Sequence, residues 1–412
     1  MMRVRISLII FVILLISSCS IDEKNYFINK DDNITELTLW CRDIEAPAFE
    51  QMNNSILIGS GIRINVEIQA EPRSKFIYAA KAGGGPDLLI GAHDWTGELA
   101  KNGLICDISI IDDISSDFIE SSINGFYYKN KLYGIPYCVE ALLFIYNKNL
   151  ISNPPSTFEE LIIEAKKLTD VSNDRYGFLY GIDNNFYNNY PFIASQGGYV
   201  FKNVDNSYDI TDLGLDNEGA LTGANFIMNL VEEGIVPVYT NNGTVESKFK
   251  EGKAAMIIDG PWNIKSYKET VTGTSIADLP TLNGKPLKPF VGSRGLMINR
   301  LSLKKSKSID FIINYFSTYK AQMIMYNNGL RPPARKDAAN EVKRIDPEYS
   351  AIYNSIENGD PMPNIKAMAV VFNYAAGMID KFKSGEYSVE EAVFWACQAI
   401  RDEIMANFDR YE

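Results

Sequence analysis

Beyond residue 34 the chain alternates short apolar runs with longer amphipathic ones. Thr38-Leu39-Trp40, Ile64-Asn65-Val66-Glu67-Ile68, Asp87-Leu88-Leu89-Ile90, Leu142-Leu143-Phe144-Ile145-Tyr146 and Ala255-Met256-Ile257-Ile258 are short and rich in β-branched or aromatic residues, which predicts strands. Ser156 followed by Glu159, just after Pro154-Pro155, predicts a capped helix start, and Leu161, Ala165 and Leu168 continue at helical spacing. A second helix is predicted from about Glu218 to Glu233, stopped by Gly234, with Leu221, Ala224, Met228 and Val231 on one face. Near the C-terminus Val389, Val393, Cys397, Ile400 and Ile404 form a helical stripe, which predicts a docking face. Strand-like and helix-like segments in alternation predict an α/β fold with covered sheets.

The first residues follow a different pattern. Arg3 and Arg5 precede an apolar run from Ile6 to Ile16 that ends at Ser17-Ser18-Cys19. That run falls short of the roughly 20 apolar residues that span a bilayer. A charged start, a short apolar stretch and small residues before a boundary describe an export leader over 1–18. Ile16-Ser17-Ser18-Cys19 resembles a bacterial lipobox, which implies that Cys19 becomes the lipid-modified first residue of the mature protein. The alternative is an ordinary leader with an incidental cysteine. Residues 19–34 are polar and aperiodic, as a tether from lipid to folded body would be.

Composition narrows the function classes. A length of 412 residues suggests two or three domains, and 46% hydrophobic with 22% charged residues is an ordinary globular balance. A net charge of −12 lacks the basic footprint that nucleic acid requires. The one histidine, His93, leaves no material for a multi-His zinc site or a His-based triad, so neither metal nor cofactor is expected, and His93 itself is read as structural. Cys41, Cys106, Cys138 and Cys397 lack metal-type spacing and sit among apolar residues, which favours buried free thiols. Aromatic residues make up 12% of the chain, more than packing alone requires.

Several blocks carry a specific resemblance. Gly85-Pro86-Asp87 leading to Ala92-His93-Asp94, Val139-Glu140-Ala141-Leu142, Tyr146-Asn147-Lys148 and Asn153-Pro154-Pro155 are similar to the maltose/maltodextrin-binding proteins of bacterial ABC importers. So are Gln196-Gly197-Gly198-Tyr199, Asp259-Gly260-Pro261-Trp262, Leu279-Pro280-Thr281, Lys288-Pro289-Phe290-Val291-Gly292 and Met362-Pro363-Asn364-Ile365, in the same order. The resemblance implies a two-lobed, periplasmic-binding-protein-like fold of type II. Its N-terminal lobe would comprise 35–139 and 296–341, and its C-terminal lobe 142–290 and 350–412. The chain would cross between lobes near Val139 to Ala141, Phe290 to Gly295 and Glu341 to Tyr349. It further implies a monomeric, extracytoplasmic, membrane-anchored receptor that does no covalent chemistry. Such a receptor closes on an oligosaccharide and delivers it to permease subunits of an ATP-driven importer.

A sugar presents apolar C–H faces and a rim of hydroxyls, so its receptor needs flat aromatic surfaces and strong acceptors. Trp262 follows a Gly-Pro turn after a predicted strand and matches a stacking tryptophan of the family, and Tyr187 and Phe372 match two further aromatic positions. Asp94 and Glu140 match carboxylates that accept sugar hydroxyls. Glu140 lies in an apolar stretch where an unpaired charge is costly. The polar readout departs from the family elsewhere. Glu45 stands about where the family has a lysine, Trp95 replaces an arginine and offers a further candidate platform, and Arg73, Asn185 and Ala376 replace Glu, Glu and Arg. Carbohydrate is therefore the expected ligand class, with maltodextrin, trehalose, cyclodextrin or another glucoside all open. Glycoside hydrolysis and a surface lipoprotein without transport are the rival readings.

Overall fold

The computed structural model of the protein describes residues 34–204 and 207–411. The expected leader and Cys19 lie outside the described residues, as does all of the expected tether except Ile34. Two sheets organise the body. In the first, Thr35–Cys41 pairs in parallel with Ile62–Ile68 and Leu88–Ala92, and Phe290–Ile298 runs antiparallel to Leu88–Ala92. Gly134–Glu140 adds on the far side of Phe290–Ile298, antiparallel, and the short Asp360–Pro361 strand pairs with Phe290 and Val291. The second sheet has the order Thr274–Ala277, Leu143–Asn147, Ala254–Asp259, Tyr176–Tyr180. Only Ala141 and Leu142 separate the last strand of the first sheet to appear before the crossing from the first strand of the second.

Each expected strand forms, within a few residues of its predicted bounds. Gly134–Glu140, Leu143–Asn147 and Ala254–Asp259 are buried at every position, whereas Ile62–Ile68 at the sheet edge alternates buried and exposed residues. The C-terminal stripe is buried throughout Val389–Ala406, which opens with a capping box of Ser388 and Glu391. Two helical expectations shift by one position. The N-cap of Phe158–Leu168 is Thr157, whose side chain accepts from Glu160 N–H, while the Glu160 carboxylate reaches back to Ser156. In Glu218–Glu232 the buried face is Ala220, Ala224, Ile227 and Leu230, and Leu221, Met228 and Val231 lie only partly buried at its margin. The second lobe offers an apolar cover on two sides of this helix, which packs along Phe186–Gln196 and Val389–Ala406, and small residues are needed where backbones approach. A Cβ on Gly223 would fall 2.4 Å from the Phe192 carbonyl.

Three core clusters follow from this layout. One surrounds the first sheet with Phe49, Phe76, Phe118, Phe126 and Phe316, and a second packs Phe144, Phe158, Phe178 and Phe192 under the helices of the second. The third lies between them, where Val139, Ala141 and Val291 of the joining strands meet Tyr326, Ala339, Val342 and Tyr349. Ala339, just before the crossing expected at Glu341 to Tyr349, and Val342 and Tyr349 within it all belong to this third cluster. Cys41, Cys106, Cys138 and Cys397 are free thiols, three of them buried. Among the described residues no helix is long and apolar enough to cross a membrane.

Asp87, from the Gly-Pro-Asp block, ties the first sheet together. Its backbone exchanges hydrogen bonds with Thr38 and Asn299, and its carboxylate accepts from Thr38 N–H (2.9 Å), Ser302 Oγ (2.6 Å) and Lys304 Nζ (3.0 Å). Burial alone would raise this carboxyl, but the three donors outweigh it and hold it below the ordinary carboxylate range. A carboxylate depressed in the folded state contributes stability above its unfolded value and loses that contribution as pH falls. Asp87→Asn should therefore cost about 1.5–3 kcal/mol at neutral pH, the range for hydrogen bonds to charged groups. In urea unfolding at pH 7 and pH 3.5 the difference from wild type should be full at the first and reduced at the second.

Candidate functional site

The strand Ala254–Asp259 ends in a buried carboxylate that shapes the turn after it. Asp259 accepts hydrogen bonds from Gly260 N–H (2.7 Å), Asn263 Nδ2 (2.9 Å) and the Tyr267 hydroxyl. Burial pushes its carboxyl above the ordinary range despite these donors. The turn Pro261–Asn263 then folds the Trp262 indole back over Gly260, where a Cβ would lie 2.1 Å from the ring. Only glycine permits that approach. Across from it, Asn185 caps Phe186–Gln196 by accepting from Asn188 N–H, which sets Tyr187 in the first turn.

These elements build one aromatic wall. Tyr187 stands 6.2 Å from Trp262 at 56° and 5.9 Å from Phe290, while Phe290 is 6.2 Å from Phe372. Phe290 is the hub: its ring stacks on Tyr190 at 3.7 Å and 3°, fully buried, so Trp262, Tyr187 and Phe372 are left half-buried with surface to offer. Two acidic side chains, one after a strand of the first sheet and one in the joint, are near enough to act on the Tyr187 ring. Asp94 lies in the turn His93–Trp95 that follows Leu88–Ala92, half-buried and without a side-chain hydrogen bond or ion pair to another described residue. Glu140 ends the strand Gly134–Glu140, buried, with Oε1 accepting from Arg331 Nη1 at 2.6 Å. Burial, and then the charges of Glu140, Asp94 and Asp259, push the Tyr187 phenol well above the usual tyrosine value, so three carboxylates bear on this one ring.

His93 is held in the joint. Its Nδ1 lies 3.1 Å from the Ser293 backbone nitrogen and 3.3 Å from the Ser293 carbonyl oxygen, and its Nε2 lies 3.1 Å from the Met362 carbonyl oxygen. Among the described residues no group of His, Cys, Asp and Glu has the arrangement to hold a metal ion.

Two residues expected at the ligand are engaged elsewhere. Glu45 is 2% exposed, and its carboxylate accepts from Tyr137 Oη (2.9 Å), Arg294 Nε (3.0 Å) and Arg42 N–H (2.8 Å). Burial would raise it, but Arg294, Arg331 and these hydrogen bonds bring it below the ordinary range. Its acceptor capacity is spent inside the protein. Trp95 is 6% exposed, because Gly91 leaves room for the ring to lie on the strand: a Cβ there would be 2.6 Å from Cε3. Trp95 therefore belongs to the core of the first lobe, with the Arg73 guanidinium 6.0 Å from its ring centroid. Gly91, four residues upstream in a buried strand, was the available sign. Arg294, Arg331, Phe290 and Asp259 are the site components that local reading misses. Asp259 and Phe290 stand inside the blocks quoted above, whereas nothing in the local pattern around Arg331 marks its partner.

Residues 46–351 match a family of bacterial extracellular solute-binding proteins. The chain is 30% identical over 357 residues to a galactooligosaccharide-binding protein of Bacillus subtilis, covering 84% of each sequence. It is 28% identical over 340 residues to a maltooligosaccharide ABC transporter solute-binding lipoprotein of Streptococcus pneumoniae, covering 80% of this chain and 78% of that one. A maltotriose-binding protein of Pyrococcus abyssi is 29% identical over 357 residues, with 83% and 76% covered. A match that spans most of the chain, together with two sheets joined by paired strands beside an aromatic wall, identifies the protein as a member of the bacterial extracellular solute-binding protein family.

Proposed function

We propose that the protein is the lipid-anchored, extracytoplasmic receptor of a carbohydrate ABC importer, which binds an oligosaccharide between its lobes and delivers it to permease subunits by hinge closure. The aromatic wall of Trp262, Tyr187 and Phe372, with Asp94 and Glu140 near enough to act on the Tyr187 ring, carries this reading. Half-buried rings supply flat surfaces for sugar C–H faces at little rotamer cost. Carboxylates accept sugar hydroxyls through the stronger, charge-assisted bonds. The relatives named above bind galacto- and maltooligosaccharides, which supports an oligosaccharide as the ligand class. Because those sugars differ in linkage, polar residues rather than the stacking surface select between them. In this reading the ligand meets Asp94, Glu140, Tyr187, Trp262 and Phe372, while Glu45 and Trp95 support the scaffold. The protein acts as a monomer that binds and releases without covalent chemistry, and Cys19 carries the lipid.

A thermal-shift screen of gluco- and galacto-oligosaccharides from one to seven units tests the class. A saccharide present at 100 times its dissociation constant should add about 2.7 kcal/mol, and silence across both series would refute the reading. Trp262→Ala should weaken binding at least about tenfold, or 1.4 kcal/mol, with little change in the unfolding midpoint. Gly260→Ala should weaken binding in the same direction, because the added Cβ displaces the indole from its turn. Cys19→Ala should move the protein from the membrane to the soluble fraction in cell fractionation, with saccharide affinity unchanged.

A further inference from the structure

The joint between the lobes holds four ionised side chains where apolar residues would be less costly. Glu45, Arg294, Arg331 and Glu140 are each 8% exposed or less. Removing such ions from water costs several kcal/mol apiece, and a buried pair is often no more stabilising than well-packed hydrophobic residues. Stability alone therefore gives a weak account of them. The two pairs also differ in how they are used. Arg294 donates to Glu45 from Nε, with Nη2 at 2.9 Å as an ion contact that makes no hydrogen bond among the described residues, and Tyr137 and Arg42 complete that carboxylate. Arg331 meets Glu140 through Nη1 alone, and Glu140 Oε2 takes no hydrogen bond from any described residue. Arg331 Nε likewise finds no acceptor among the described residues.

Arg331 is fixed opposite Glu140 by the backbone on either side of it. Val139 N–H donates to Pro332 O at 3.0 Å, and Ala334 N–H donates to Tyr137 O at 3.2 Å, so the Arg331 segment is sewn to the strand that ends in Glu140. From the other side, the hydroxyls of Tyr349 and Tyr353 donate to Leu330 O (2.7 Å) and Pro333 O (3.1 Å). The guanidinium consequently has little freedom relative to the carboxylate it meets.

We infer that Arg331 is a positioning residue for saccharide recognition: it supplies the countercharge for Glu140, holds one carboxylate oxygen, and leaves the other for a sugar hydroxyl. The inference rests on the saccharide-receptor reading above. Arg331 acts through Glu140 and not on the sugar itself, so its effect on affinity depends on the carboxylate being present.

The test is a double-mutant cycle with maltotriose and β-1,4-galactotriose as probes, using calorimetric titration for affinity and urea unfolding for stability. Arg331→Met should lower stability and weaken binding of the probe at least about tenfold, measured well below its unfolding midpoint. Arg331→Lys, which keeps the countercharge, should stay within about threefold of wild type. Glu140→Gln should weaken binding, and adding Arg331→Met to it should change affinity by no more than about twofold while leaving no lone buried ion. Unchanged affinity in Arg331→Met would limit Arg331 to holding the fold and overturn the inference. So would a double variant at least tenfold weaker than Glu140→Gln, a comparison that stands even if Arg331→Met alone does not fold. A wild-type protein that binds neither probe would instead remove the saccharide reading, and this inference with it.

Discussion

The antiparallel pairing of Gly134–Glu140 with Phe290–Ile298 sets Glu140 and Phe290, around which the rest of the candidate site is arranged. All seven residues of the first strand are buried, and its register places Glu140 opposite Gly292 and Val139 opposite Ser293. The approach is close enough to require glycine: a Cβ at Gly295 would lie 2.4 Å from the Ile135 carbonyl. One strand ends at Glu140, and the other begins at Phe290, the hub of the aromatic wall. The same ladder therefore fixes the separation between the carboxylate and the stacking surface. A slip of one residue would reverse the faces of both strands and break this arrangement.

Aromatic and acidic groups enter the site by different physical routes. The rings gather because they pack on one another, with Phe290 buried at the centre and its neighbours left partly bare. The carboxylates arrive at the ends of strands, where the chain turns out of a sheet, as ligand-facing groups in α/β proteins commonly do. Each needs a way to tolerate its charge. Asp94 keeps contact with solvent, Glu140 takes a guanidinium, and Asp259 takes three donors to shape the Trp262 turn. The net charge of −12 thus does not describe the site, where Glu140 has a guanidinium partner and Asp259 has three hydrogen-bond donors.

Legibility in the sequence followed the range of the interaction. The stripe from Val389 to Ile404 and the strand runs were readable because period and burial coincide within one element. The capping residue of Phe158–Leu168 was displaced by one position, since Ser156 and Thr157 both carry a hydroxyl and only tertiary placement chooses between them. Trp262, Tyr187 and Phe372 were singled out by a family resemblance and come onto one wall. The pairing of Glu45 was not legible, because its partners Tyr137 and Arg294 stand 92 and 249 positions away. Arg331 and Glu140 are 191 apart, and no local pattern encodes that pairing. The burial of Trp95 has a shorter-range cause, a neighbouring Gly91 that makes room for a ring inside the sheet.

The distribution of charge at the joint bears on how the lobes could move. A rotation about the joining strands, as proposed for ligand capture, would be costly if it separated buried ions across the moving interface. The structure avoids that arrangement. Glu45 and Arg294 both belong to the first sheet and its adjoining helix, and Glu140 and Arg331 lie on backbone segments hydrogen-bonded to each other. His93 contacts the Ser293 backbone through Nδ1 and the Met362 carbonyl through Nε2. The two ion pairs therefore have their partners on adjoining segments, whereas His93 with Met362 and Asn364 with Gly125 link the chain before the joint to the chain after it. A joint of that kind carries ions in its interior because each carboxylate lies beside its own guanidinium.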